Sequence, residues 1–504
     1  MGEQEVGAWF SGRSVLVTGA TGFVGGVLLE KLLRECPRLA AAHLLVRPGA
    51  QETAEQRVAR LLDSPLFSQL EGDEWRQRVF AVPGDVSRPQ LGLQLPAEAA
   101  ARLLDQVSVV FHCAASTSLA AGLRRTVTAN LDSTQHLLDL CKQMPNLQVL
   151  VHMSTAFCNC VVRDAVAERV YPTSLPPERV LELVHGLTDA ELEAATPSLV
   201  GGHPSAYTFS KQLAENLLVE RRPPGLRLVI VRPSIVCGAA REPVAGWSGG
   251  AVGDGSSAGA FLVGAAHGVF RVAAADPRRF VDFVPCDVVA ALAVAAAAHA
   301  EEGVQVYHAT SGDRRPLRWG EYAALVQRAC RRAPSRRLAA PPTTYCRAWP
   351  PTAALTFLVT HLLPALLLNA LRCDRGLLQA QRKYWRAMWR ARFFSCRDWC
   401  FRTGAADRLR ARMSPADLRR FAVDVDSAGV DWERLFSDSA LAVRRYALRE
   451  DPATIPAARA RMRRLEVTFW LVALCIASVP LLLCTDIVVG AICSVLVITF
   501  LLWL

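Results

Sequence analysis

Thr18-Gly19-Ala20-Thr21-Gly22-Phe23-Val24-Gly25 stands between an apolar run of strand length, Ser14–Thr18, and a helical pattern over Val24–Arg34. Glycines spaced three and three between a strand and a helix suit a turn that cradles phosphates. Gly19 permits the tight turn, Gly22 lets backbone approach a pyrophosphate, and Gly25 brings helix close to strand. The helix N-terminus adds unpaired N–H groups and a positive dipole end. Further strand-length runs follow at His43–Arg47, Val79–Pro83, Val107–His112, Val149–Met153 and Arg227–Arg232. Helical patterns lie between them at Thr53–Asp63, Glu98–Asp105 and Thr126–Lys142. Such alternation predicts an α/β domain with a doubly wound parallel sheet, a Rossmann arrangement whose ligands sit at the carboxyl ends of the strands.

The second strand ends in Arg47 where an NAD-preferring fold would place an acid. A guanidinium there suits the 2′-phosphate of NADPH, against the alternative of one structural arginine among 53. Asp85, followed by Val86 after the third strand, is placed to accept from an adenine amine, or serves as an ordinary turn aspartate. Ala114 and Ala115, after the fourth strand, are small enough for a nicotinamide ribose to pack against.

Tyr207 and Lys211 stand at i and i+4 on an amphipathic helix, so they share a face. With seven tyrosines and four lysines in 504 residues, the pattern is expected by chance only about 0.06 times. An ammonium beside a phenol is expected to lower the phenol's pKa toward working pH, for proton exchange with a carbonyl oxygen. Ser154 and Thr155, at the end of the fifth strand, offer a hydroxyl to the same oxygen or cap a turn. Cys158 and Cys160 lack a second ligand pair, so no metal site is expected.

The remaining composition bounds the rest. Hydrophobic residues make up 51% and charged residues 20%, which excludes disorder of the whole chain. The fifteen cysteines form no regular framework, so a disulfide-stapled secreted scaffold is excluded. The net charge of +11 is concentrated between Arg372 and Arg412, with twelve basic and three acidic residues. Trp385, Trp389, Phe393, Phe394, Trp399 and Phe401 interleave with them. That mixture fits a membrane-interface helix or a solvated face beside a core stripe; no RNA-binding signature accompanies it, and nucleic acid is not expected as a partner.

From Val467 to Leu504 the only charge is Asp486. That length supports one membrane span with a tail, or a hairpin. Arg461, Arg463 and Arg464 precede it and would keep the preceding domains on the cytosolic side. A second apolar run, Leu355–Leu371, is interrupted and reads as a membrane-resting or buried helix. Residues 314–351, rich in arginine and proline, read as an interdomain link, with a boundary near 350.

The glycine turn, the Ser-Thr-Ala strand end and the Tyr207/Lys211 pair resemble the extended short-chain dehydrogenase/reductases. The chain is more specifically similar to the alcohol-forming fatty acyl-CoA reductases of animals. The segments that carry this include Leu28–Leu33, Leu45–Arg47, Val231–Val236, Glu242-Pro243 with Gly246-Trp247, Val284–Val288, Asp424–Val430, Asp431–Glu433 and Arg444–Tyr446. Where that family usually reads Asp-Ile-Ile-Pro-Val-Asp, this chain has Asp282-Phe283-Val284-Pro285-Cys286-Asp287.

The resemblance implies NADPH-dependent reduction of a long-chain acyl-CoA to a fatty alcohol. Tyr207 would be the proton donor, Lys211 its electrostatic partner, and Thr155, with Ser154 adjacent, the polarising hydroxyl. Thr18, Gly19, Thr21, Gly22, Phe23, Val24, Gly25, Arg47, Asp85, Val86, Ala114, Ala115, Lys211, Pro233 and Ile235 would surround the cofactor. It further implies an extended-type reductase domain over 1–350 with a substrate-binding subregion at 235–350. A mainly helical domain at 351–465 and a transmembrane segment or hairpin at 466–504 would follow. Membrane lipid is an expected partner, on the endoplasmic reticulum or peroxisome with the catalytic domain facing the cytosol. The alternatives are a sterol- or sugar-type dehydrogenase of the same fold and a non-catalytic NADP-binding membrane tether.

Overall fold

The computed structural model describes residues 5–249, 257–372 and 375–468. Seven parallel strands form one sheet: β1 Ser14–Thr18, β2 Ala41–Val46, β3 Val79–Pro83, β4 Val107–His112, β5 Val149–Met153, β6 Arg227–Pro233 and β7 Val304–Ala309. Their spatial order is β7-β6-β5-β4-β1-β2-β3. The strand order therefore reverses between β1 and β4, where Val17 lies opposite Phe111 and Thr18 opposite His112. Ligands of doubly wound sheets bind at such a switch point. All residues of β1, β2, β4 and β5 are buried. That matches their unbroken apolar runs, since a sheet covered on both faces has no solvent side to alternate toward.

The covering helices used below are α1 Phe23–Glu35, α2 Ala54–Leu62, α3 Ala97–Gln106, α4 Leu123–Cys141, α5 Pro177–Gly186, α6 Asp189–Val200, α7 Ala206–Arg221 and α8 Cys286–Ala298. In α4 a π-helical turn occupies Thr128–Asp132. Helix α8 is alanine-rich and buried throughout Cys286–Ala297, and small side chains let it lie close against α1. Helix α6 opens with a capping box, Thr188 and Glu191 satisfying each other's backbone N–H groups. Leu192, Leu199 and Val200 of α6 then share a core with Leu123 and Val127 of α4 and Phe209, Leu213 and Leu217 of α7.

The described chain divides into two compact units, each assembled from several stretches. The first comprises Met1–Gly259, Phe280–Pro316 and Asp398–Asp431; the second comprises Ala260–Arg279, Leu317–Arg397 and Trp432–Leu504. The expected division cut the chain near residues 350 and 465 into continuous stretches, whereas the two units interleave. The 314–351 stretch is not a plain link either: it holds a helix at Trp319–Arg332, where Tyr322, Ala323, Val326 and Ala329 are buried at helical spacing.

Within the first unit, Val166 and Phe401 form a parallel bridge. Trp399 and Phe401 meet Phe157 edge-on at 5.4 and 5.5 Å. Lys31, buried in α1, binds Glu242 and the carbonyl of Arg420, and lies 5.0 Å over the ring of Phe421. Within the second unit, Val272, Ala274, Phe357 and Met388 form a core joined by Tyr384, Trp385 and Trp389. Of the aromatics of the basic stretch, Phe401 is buried, Trp385 and Trp389 pack half-buried against this core, and Phe393, Phe394 and Trp399 are half-buried. No described helix is long and apolar enough to cross a membrane. The expected segment at 466–504 lies, past Thr468, outside the described residues.

Candidate active site

A cavity of about 1140 Å³ opens at the switch point. Its floor is the glycine turn: Gly19, Thr21 and Gly22 line it. Gly19 has φ +74°, and a Cβ there would stand 2.6 Å from the Ala114 nitrogen. A Cβ on Gly25 would stand 2.2 Å from the Gly19 carbonyl oxygen. Both positions therefore accept glycine alone. Helix α1 starts at Gly22 with no capping side chain, which leaves the N–H groups of its first turn for an anion. Phe23 and Val24, expected beside the cofactor, are not among the cavity's lining residues.

At the cavity's other margin stand Val46, Arg47, Arg57, Asp85, Val86 and Ser87. The Arg47 side chain is 72% exposed and 3.9 Å from Asp85. Arg57, which the sequence reading passed over, donates to the Arg47 carbonyl. Its signal was its position ten residues after Arg47, inside a helix that folds back over the strand end. Burial works against the Asp85 charge, but the Ser87 N–H and hydroxyl, with Arg47, hold its carboxyl below the usual range. One oxygen of Asp85 is taken by Ser87, at 3.0 and 2.7 Å. The aspartate thus closes its own turn while facing the cavity.

Cys113, Ala114, Ala115 and Ser116 form the wall after β4, and Arg124, Arg125, Leu192, Glu193, Thr196 and Pro197 continue it. Arg124 is fully engaged, binding Asp189 and the carbonyls of Val184 and Leu187. Thr18 is not in the cavity: its buried hydroxyl meets His112 Nδ1 at 2.8 Å and accepts from the Ala114 N–H at 3.2 Å. It fixes the wall from behind. Pro233 and Ile235 also lie away from the lining, at the ends of β6 and the short strand after it.

Ser205 caps α7 through the Thr208 N–H and thereby sets the start of the helix that carries Tyr207 and Lys211. The Thr155 hydroxyl donates to the Pro233 carbonyl at 3.4 Å and accepts from the Phe157 N–H at 3.3 Å, and it acts on the half-buried Tyr207 phenol, pulling its pKa down. Lys211 is buried and donates to the Met153 carbonyl at 2.7 Å. Tyr207, Lys211 and Thr155 therefore converge at the end of β5.

Two expectations fail here. The phenol is not lowered: burial pushes it up to about 12, against the pull of the Thr155 hydroxyl. The protein packed against the half-buried ring disfavours the charged phenolate, and the Lys211 ammonium is spent on a backbone carbonyl instead. Burial also brings Lys211 down to about 8, against the attraction of Cys113 and Glu215. Ser154 is not part of the constellation either. Its hydroxyl donates to Glu215 at 2.5 Å, inside a network in which Arg232 grips both Glu215 oxygens at 2.8 and 2.6 Å. Ser154 and Arg232 thus hold the strand end from the side opposite Thr155.

Asn130, in the π-turn of α4, is a second residue missed from sequence. It accepts from the Ser116 N–H at 2.7 Å, and its amide donates to the Ser116 carbonyl and to Ser210 on α7. It joins the cavity wall to the helix of Tyr207. The π-turn that presents it is invisible in composition, although such turns gather at functional sites.

A family description of a male sterility protein, NAD-binding, matches residues 17–293, and its companion Sterile description matches 358–450. Fatty acyl-CoA reductase 2 of Bos taurus is 32% identical over 471 residues, 92% of this chain and 90% of that protein. Fatty acyl-CoA reductase 1 of Homo sapiens is 31% identical over 468 residues, 91% and 89% of the two chains. The chain belongs to the fatty acyl-CoA reductase family. Its first unit is accordingly an NAD(P)-binding reductase domain. Two solved structures share the fold: the terminal R domain of the myxalamid PKS-NRPS pathway (TM-score 0.55) and the reductase domain of a non-ribosomal peptide synthetase from Mycobacterium tuberculosis (0.54). Each is 19% identical and covers 86% of this chain and 91% of its own.

Proposed function

We propose that this family member reduces long-chain fatty acyl-CoA to the primary alcohol with NADPH, releasing CoA. The observation that carries the reading is the convergence of Thr155, Tyr207 and Lys211 at the end of β5, in the same sheet whose switch point holds a dinucleotide-sized cavity with two arginines at its margin. The cradle at Gly19 and Gly22, the open first turn of α1 and the arginines Arg47 and Arg57 fit the phosphates of such a cofactor. When bound, the reduced nicotinamide supplies hydride, two per alcohol, so that one thioester consumes two NADPH and two protons.

The protein's own part is positioning and proton supply. Thr155 and Tyr207 present two O–H groups to the thioester carbonyl oxygen, and Tyr207 gives its proton as that oxygen gains charge. A phenol with a raised pKa remains protonated at neutral pH, which is the state a donor requires. Lys211 holds the end of β5 and places positive charge below the pair. The resulting hemithioacetal loses CoA thiol, and the aldehyde meets the same two hydroxyls in the second round.

Purified full-length protein given palmitoyl-CoA and NADPH should yield hexadecanol, with two NADPH oxidised per alcohol. Cofactor binding without consumption on any acyl-CoA would favour the tether instead, and oxidation of a sterol or nucleotide sugar with NAD would favour the other dehydrogenases. For the cofactor, Arg47→Ala is expected to raise KM for NADPH about tenfold, the loss of about 1.5 kcal/mol for a hydrogen bond to a charged group. KM for NADH should stay within about twofold, so an equal rise for both would remove Arg47 from the 2′-phosphate site.

The same reading places the protein on an intracellular membrane, endoplasmic reticulum or peroxisome, held through 466–504 with the reductase unit on the cytosolic side. The apolar composition of that segment and the three arginines before it support this.

A further inference from the structure

The helix spanning 350–372 in the second unit is amphipathic in an unusual sense: its outward face is apolar. Ala353, Phe357, His361 and Ala365, each four residues apart, are buried. His361 binds Gln381, and Phe357 packs on Trp385, both of the following helix Arg375–Ser395. Leu355, Leu358, Leu363 and Leu366 are exposed, Leu363 by 50%, and Trp349 at the helix start by 65%. A π-helical turn at Leu358–Leu362 takes up the extra residue between the two pairs of leucines and keeps them on one face. Four large leucines in a row on a solvent face mark a contact surface.

The second helix supplies the complementary observation. Its inner residues Gln381, Tyr384, Trp385 and Met388 face the core, and Arg382, Lys383, Arg386 and Arg390 are exposed. None of these four cations has an ion-pair partner among the described residues. Leucines and unpaired cations on adjacent helices must both be answered by whatever covers them. The chain's own 467–504 segment carries one charge, Asp486, too few for four cations. Self-association across a two-fold axis on this face would set like charges together. An anionic bilayer answers both features: acyl chains take the leucines, and headgroup phosphates take the cations, with Trp349 at the level of the headgroups.

We infer that the 350–372 helix lies in the membrane interface, with the Arg375–Ser395 helix beside it on anionic headgroups. The second unit would then hold lipid through a surface separate from the 466–504 segment. This deepens the membrane reading and leaves the reaction untouched, because its test is scored without turnover.

Full-length protein is placed in nanodiscs containing about one-third anionic phospholipid, with p-benzoylphenylalanine at Leu363 and, in a second preparation, at Leu366. Illumination should give a phospholipid adduct at both positions and none from the exposed polar position Glu321. The combined changes Arg382→Gln, Lys383→Gln, Arg386→Gln and Arg390→Gln should cut the adduct yield at least about fivefold in anionic nanodiscs and leave it unchanged in zwitterionic ones. NADPH binding is measured in parallel to show that each variant is folded. Cross-linking to a peptide from 469–504 or to a second copy, or no lipid adduct at either position, overturns the inference. An unchanged yield after removal of the cations overturns the assignment of the headgroups.

Discussion

Tyr207→Phe is expected to lower kcat by about a hundredfold to ten-thousandfold, the range for removing a positioned general acid. The ring still fills its site on α7, and only the O–H beside Thr155 is lost. NADPH binding, measured by fluorescence titration, should stay within about twofold because the phenol is not among the residues lining the cofactor-sized cavity. Near-normal turnover would show that another group delivers the proton. The pH profile gives a second check. Burial pushes the phenol up to about 12, so it stays protonated through the working range. Lys211, brought down to about 8, loses its charge as pH rises through that value. In the free enzyme, kcat/KM should therefore fall on the alkaline side with an apparent pKa near 8, and a limb appearing only above about 10 would mean that the Lys211 charge is not used.

The largest effect on stability is expected at the other face of the same strand end. Glu215 and Arg232 are both fully buried and joined by two hydrogen bonds, with Arg232 also reaching the carbonyls of Ala167 and Arg169. Glu215→Leu strands a guanidinium without its counter-charge and should cost about 3–5 kcal/mol, seen as a drop in urea midpoint or Tm. It also deprives Ser154 of its partner, which loosens the segment holding Thr155. Adding Arg232→Met should restore much of the loss, since an apolar pair of similar volume needs no compensation. If the double variant is as unstable as the single one, the network is held together by contacts other than this pair.

Much of the fold was legible because most of its strands are buried on both faces, while β3, with Phe80 exposed, was legible from its apolar run alone. β1, β3, β4 and β5 have the boundaries their apolar runs suggest, and β2 and β6 shift by one or two residues. The glycine turn could be read because a missing Cβ leaves its mark in the sequence, and Tyr207 with Lys211 because helical spacing is local. What failed was whatever depends on direction or distance. Ser154 and Thr155 are neighbours on extended backbone, so they point to opposite sides, and nothing in the pair says which faces the tyrosine. Glu215 and Arg232 meet across two elements. The raised phenol follows from burial, a tertiary property that the Tyr-x-x-x-Lys spacing does not contain. Thr18 belongs to the quoted stretch yet works on His112, 94 residues away.

The return of Asp398–Asp431 to the first unit bears on how the protein is made. Val6, near the start, gives its N–H to Asp417, and Lys31 finds its carbonyl partner at Arg420. A nascent chain that has left the ribosome only as far as the glycine turn, the tyrosine and all seven strands still lacks these closures. Premature termination before Arg420 would release a chain whose buried Lys31 lacks that carbonyl partner, so the last closure of the first unit waits on residues that follow the whole sheet.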